Sequence, residues 1–243
     1  MMSLFRAVIV FCLVLCVCLY ASQTPSSDKG IEAITLPSAD ITLSFLQPGK
    51  IDKIFVKEGN KADANALLIQ QYDVAESALL EQKKVDLNRL EQARKQNAAT
   101  DLEVEHARLE VRTAEVQLDN MKMRSPIEGI VEKLDVEVGE SVQALKDVIR
   151  IVKIDPLWVD VYVSQRDAYN IKLGDSAAVR FPEPQKATMT GNVIFISRAA
   201  DAASDTRRVR IELPNKTGRP SGEHVTVNFS TGNKPNESGK KGD

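Results

Sequence analysis

The chain has 243 residues, a formal net charge of −2, 43% hydrophobic residues and only 5% aromatics. So even a charge balance excludes an electrostatic footprint for nucleic acid. The length admits one ordinary domain or two to three small ones, and the scarcity of aromatics favours small modules, or a long helix with a thin apolar seam, over one thick core.

Arg6 stands before an unbroken apolar run at 7–19 (AVIVFCLVLCVCL), which is followed by Tyr20, Ala21 and Ser22. A basic start, a short apolar stretch and small residues after it describe an export signal over residues 1–22. The run is shorter than the ~20 apolar residues of a comfortable membrane span. Cleavage after Ala21 or Ser22 and retention as a signal-anchor both stay open. The only cysteines, Cys12, Cys16 and Cys18, lie inside this segment. The exported part is therefore expected to hold no disulfide and no cysteine metal site.

Residues 23–43 read as a polar linker and a first strand, and strand-favouring residues continue to Ile69, broken at Pro48–Gly49 and Gly59–Asn60. Residues 73–123 then contain neither Gly nor Pro and are rich in Glu, Lys, Arg, Gln, Ala and Leu, which favour helix. Val104, Ala107, Val111, Ala114, Leu118 and Met121 step alternately by three and four, the seam of a coiled coil. Leu80, Leu87, Leu90 and Ala93 make a weaker seam upstream. Thr100 with Glu103 forms a capping box and Asn97 suits a helix end. The spacing predicts two antiparallel helices of about 24 residues and ~36 Å each, turning near 97–99. Glu91 with Lys95 and Glu105 with Arg108 are expected to pair on exposed faces.

Flanking this stretch, GKIDKIFVKEG (49–59) aligns with GIVEKLDVEVG (129–139) at a constant offset of 80. Gly49 matches Gly129, Gly59 matches Gly139, and seven of eleven positions are identical or chemically alike. Each copy is a short apolar strand between glycine turns that cannot bury its face alone. Two copies packed together would make one small sandwich, with the helices leaving from the connection between them.

SPIEGIV (125–131) with VGESV (138–142), and LSFLQPGKIDKIFVKEG (43–59), resemble the two lipoyl halves of the HlyD/RND-type periplasmic adaptor, or membrane fusion protein, family. The similarity runs over about 40–230. It implies an α+β, mainly β fold: a lipoyl-like barrel-sandwich at 44–72 plus 125–153, split by an antiparallel α-helical hairpin at 73–124 and followed by a small β-barrel at 156–230. KADANALL (61–68) departs from the family's closing turn, where Asn65 would take the left-handed angles of a glycine.

Downstream, LWVDVYVS (157–164) alternates with period two: Trp158, Asp160 and Tyr162 share one face, and Leu157, Val159, Val161 and Val163 the other. Strands at 176–181, 191–197, 206–213 and 223–229, with the RPSG turn at 219–222, resemble the family's barrel. A further membrane-proximal domain is expected to be missing or reduced to a strand pair involving 31–36. The tail at 231–243 is expected to be disordered.

The resemblance implies a non-enzymatic periplasmic adaptor, associated with the inner membrane and needing no cofactor. Its partners would be an inner-membrane transporter, RND-type in preference to ABC-type, a TolC-type outer-membrane channel, and further copies of itself, commonly six. Family members that dock on such channels share an Arg–x3–Leu–x6–Ser pattern at the hairpin tip, and Arg89, Ala93 and Thr100 fall at that spacing. Helix capping also accounts for Thr100 and a solvated face for Arg89, so docking and local structure both stand. Two other classes remain: a lipoyl or biotinyl carrier, and a structural coiled-coil envelope protein. Against the carrier, Lys53 and Lys133 fall inside strand halves rather than at a hairpin tip. His106 and His224 lack the neighbours a metal site needs, and no phosphate loop or catalytic motif occurs.

Overall fold

A computed structural model describes residues 30–229 except Gln185; the export signal and the tail lie outside these residues. In chain order the elements are β1 (Ile31–Ser44), β2 (Gly49–Ile54), β3 (Lys61–Ala62), β4 (Leu67–Gln71), α1 (Val74–Lys95), α2 (Asp101–Asp119), β5 (Lys122–Arg124), β6 (Gly129–Leu134) and β7 (Ser141–Val142). Then follow β8 (Asp147–Ser164), α3 (Gln165–Ala168), β9 (Ser176–Phe181), β10 (Ala187–Ile196), β11 (Thr206–Leu213) and β12 (His224–Phe229). The fold is α+β and mainly β, with a closed barrel and a helical hairpin.

The sequence repeat is also a repeat of hydrogen bonds. Gly59 N donates to Val131 O and Gly139 N to Ile51 O, both at 2.8 Å. Val131 N donates to Asn60 O at 2.9 Å and Ile51 N to Glu140 O at 2.8 Å. The tiny strand β3 pairs with β6, and β7 pairs with β2, each match displaced by the same 80 residues. Reciprocal bonds of this kind require the two halves to face one another about a pseudo-two-fold axis. They enclose one core containing Phe45, Ile51, Leu68, Ile69, Val131, Val142, Ile149 and Ile151.

The glycines of the repeat do two different jobs. Gly59 and Gly139 sit at φ +82° and +91° with open space around them, as tight turns require. Gly49 and Gly129 are crowded: a Cβ on Gly129 would lie 2.7 Å from Val152 O, and one on Gly49 2.8 Å from the Gln71 side chain.

The axis also relates Asn65 to Leu145, at φ 66° and 61°. Asparagine tolerates this left-handed conformation; leucine is strained by ~1–2 kcal/mol. Because Leu145 is 71% exposed, little burial is lost on replacing it. Leu145→Asn should raise stability by roughly 0.5–1 kcal/mol, read from the urea midpoint, and Asn65→Leu should lower it by a similar amount. A Leu145→Asn midpoint at or below that of the parent would contradict this.

Six strands in the order β1-β12-β9-β10-β11-β8 close into a barrel through the β1–β8 pairing. The apolar face of β8 points inward as its alternation predicts: Leu157, Val159, Val161 and Val163 are all buried, against Val179, Ile211, Val225 and Val227. Strand β1 differs from the expectation. Residues 31–36 are no remnant of a separate domain. They pair with β12 (Ile31↔Val227) and with β8 (Leu36↔Trp158), while residues 39–44 of the same strand pair with the sandwich end of β8. Both long strands thus run through sandwich and barrel, and a register shift between Pro37 and Ala39 marks the passage. There Ser38 Oγ donates to Lys153 O at 3.1 Å. Buried Asn215 ties the barrel to the same junction, its amide donating to Ile154 O and Arg219 O, both at 2.8 Å.

Candidate functional site: the helical hairpin and its tip

The hairpin leaves the sandwich through a closed root. Gln70 pairs with Lys122 across β4 and β5, and Gln71 N donates to Met121 O at 2.9 Å. The helices are shorter than expected, 22 residues for α1 and 19 for α2, because Asp73 is the N-cap of α1, the turn occupies 96–100 and β5 claims residues 122–124. At 1.5 Å per residue they reach about 33 and 28 Å.

The seam of α2 buries Val104, Ala107, Val111 and Ala114, whereas α1 buries no residue completely. Small alanines bring the helices close but bury little area, so cross-helix ion pairs add to the contact. Lys83 Nζ meets Glu110 at 2.9 Å, Lys84 meets Glu115 at 3.4 Å, and Arg94 meets Asp101. Each is exposed enough for solvent to screen it, so each adds little by itself. The Glu110 carboxyl is held below its ordinary value of 4.5 by the Lys83 ammonium, whose own pKa is raised above 10.5 by that bond. Glu105 pairs with Arg108 at 2.8 Å as expected, but Glu91 does not serve Lys95; it reaches across to Arg108 at 2.9 Å. The opposite helix offers a guanidinium whose second fork arm Glu105 leaves for Glu91, which the local spacing could not reveal.

At the tip, Asn97 turns the chain at φ 56°. The capping box forms as predicted: Glu103 N donates to Thr100 Oγ1 at 3.3 Å, and Thr100 N donates to Glu103 Oε2 at 2.7 Å. The Thr100 hydroxyl also donates to Glu103 Oε2 at 2.8 Å, and these bonds hold the Glu103 carboxyl below 4.5. Thr100 is therefore engaged in starting α2. Ala93 is half-buried one helical turn beyond Arg89. Arg89 is 76% exposed and held only by Asp86 at 3.6 Å; of the three, it is the side chain with both reach and charge to offer a partner.

Lys53 and Lys133 lie within β2 and β6 beside Asp52 and Asp135. Among the described residues no group of His, Cys, Asp or Glu could hold a metal ion, and no helix is long and apolar enough to cross a membrane.

Comparison with known proteins agrees with this architecture. The family described as CusB-like, beta-barrel domain matches residues 156–233. Nodulation protein NolF of Rhizobium meliloti is 28% identical over 70% of this chain and 47% of its own length. Cation efflux system protein CusB of Escherichia coli is 25% identical over 38% of this chain and 23% of its own. The chain thus spans about half or less of the curated relatives it matches. Among solved structures, a MacA-MexA chimeric protein carrying the Pseudomonas aeruginosa MexA α-hairpin domain superposes with a TM-score of 0.69 at 18% identity, covering 83% of this chain and 80% of that one. MacA from Actinobacillus actinomycetemcomitans gives 0.63 at 18%, covering 82% and 77%. In sequence the chain is therefore similar to CusB-like β-barrel domains over residues 156–233, and in fold its sandwich, hairpin and barrel together match the MacA-MexA chimera and MacA.

Proposed function

We propose that this chain is a non-catalytic adaptor that couples an inner-membrane transporter, of RND type, to an outer-membrane channel of TolC type. The observation that carries the proposal is the split sandwich: its two halves close on each other and leave a helical hairpin projecting from a rigid root. Such a shape spans distance without building a chamber for turnover. The match of residues 156–233 to a CusB-like barrel supports the transporter side.

In this reading residues 44–72 with 125–153 form the lipoyl-like collar, the segment 73–124, whose last three residues belong to the sandwich strand β5, carries the hairpin that reaches for the channel, and residues 156–230 rest on the transporter. Residues 1–22 direct export, so the protein works in the periplasm against the inner membrane. Six copies side by side would complete a duct, through which the transporter's energy moves the substrate.

Arg89, Ala93 and Thr100 are the proposed channel-docking positions, with Arg89 supplying the charge. Arg89→Asp should reduce channel capture in a pull-down at least tenfold, about 1.4 kcal/mol, while the circular dichroism stays that of the parent. Undiminished capture would remove the tip from the docking surface. The same pull-down separates the classes: an adaptor recovers transporter and channel, a structural coiled coil recovers only itself, and a carrier shows a covalent mass addition on lysine.

A further inference from the structure

On the barrel wall, far in sequence from the hairpin, an open groove of about 860 Å³ runs between α3 with its following loop and the end of β10. This volume lies in the ~300–1,000 Å³ range of small-molecule sites. Buried Ile171 lies beneath it, and Tyr169, Leu173, Ile194 and Phe195 expose large apolar surfaces around it. Four such side chains gathered in one place are more than scattered surface apolarity accounts for.

Arg198 and Arg207 also line it, and among the described residues no carboxylate does. Arg207 is half-buried and already oriented. Its Nε and Nη2 donate to Ser197 O at 2.8 and 2.5 Å, and its guanidinium lies 5.6 Å from the centre of the Tyr169 ring. A carbonyl and an aromatic face leave its positive charge uncompensated, whereas Arg210 on the same strand is neutralised by a two-pronged bond to Asp160. A guanidinium held in place without a counter-ion favours a planar or tetrahedral anion.

We propose that this groove binds a monomeric anionic amphiphile: a carboxylate, phosphate or sulfate head at Arg207 and Arg198, and a single hydrocarbon tail along Leu173, Ile194 and Phe195. A concave trough lined by two cationic side chains suits an isolated chain rather than the flat face of a bilayer. The site stands on the barrel alone and is independent of the hairpin's role.

Calorimetric titration of the full protein with dodecanoate below its micellar concentration should show saturable one-to-one binding. Dodecyltrimethylammonium, which keeps the tail and reverses the head, and butanoate, which keeps the head and loses the tail, should each bind at least tenfold more weakly. Arg207→Gln and Leu173→Glu, both on the surface of the groove, should each weaken dodecanoate roughly tenfold with unchanged circular dichroism. The proposal is overturned by absence of saturable binding, by equal affinity for the cationic amphiphile, or by undiminished affinity in Arg207→Gln. It is equally overturned if the protein sediments with phosphatidylglycerol vesicles but ignores the monomer.

Discussion

Cutting Ile51 back to alanine is expected to cost about 3 kcal/mol of stability, and Val131→Ala about 2 kcal/mol. Both side chains are fully buried in the one sandwich core, and they occupy equivalent positions of the repeat. Neither cavity can collapse easily, because the backbone around each is pinned by the reciprocal bonds from Gly139 to Ile51 and from Gly59 to Val131. Urea midpoints measured at constant slope give the two values. The informative comparison is between the variants. If the halves support one body, each truncation weakens the same transition. A severe Ile51→Ala beside a silent Val131→Ala would mean that the halves fold separately.

Removing the carboxylate in Asp160→Ala should destabilise the barrel by about 2 kcal/mol, below the 3–5 kcal/mol of a fully buried pair because some solvent reaches the site. Asp160, with its side chain 12% exposed, accepts from Arg210 Nε at 2.6 Å and Nη2 at 2.8 Å, and Arg208 stands 3.6 Å away. The bond raises the Arg210 pKa further, and the guanidinium rests 4.2 Å from the centre of the Trp158 ring. Alanine would leave a half-buried charge with aromatic neighbours but without its carboxylate. Asp160→Asn keeps an acceptor and should lose about half as much. Trp158 is the chain's single tryptophan, so its fluorescence reports the melting of this wall directly. An Asp160→Ala midpoint equal to that of the parent would show that the pair adds nothing to stability.

The repeat and the helical insert were legible because their signals are local. A constant offset, glycines at turn positions, the capping box at Thr100 and Glu103, and the period-two face of 157–163 each need only a short window. Asn65 was readable for the same reason, since few residues other than glycine accept its backbone angles.

The place of strand β1 in the barrel is not legible from its own residues. Ala33 and Thr35 point into the barrel, with Thr35 Oγ1 accepting from Glu223 N at 3.0 Å, while Ile34 faces outward at 43% exposure. A polar side chain inside and a large apolar one outside cannot be told from a surface strand without its partners. The Glu91–Arg108 pair failed to show for a related reason: contacts across the hairpin compete with those one turn away, and their register is decided by the turn. In the groove, Tyr169 and Leu173 belong to the segment after β8, Phe195 and Arg198 to the end of β10 and its sequel, and Arg207 to β11; the lateral pairing of β8, β11 and β10 brings them together. The proposed docking trio at the tip rests on resemblance, and its local chemistry separates Arg89 from a threonine occupied with capping.

The closed root beneath α1 and α2 separates what the body must preserve from what the insert may vary. Since β4 and β5 are zipped together before either helix begins, lengthening both arms by whole heptads would advance the tip by about 10 Å per step while leaving the sandwich untouched. Such a protein can be refitted to a nearer or more distant mate by stretching one rod, much as a telescoping strut is adjusted without rebuilding its foot.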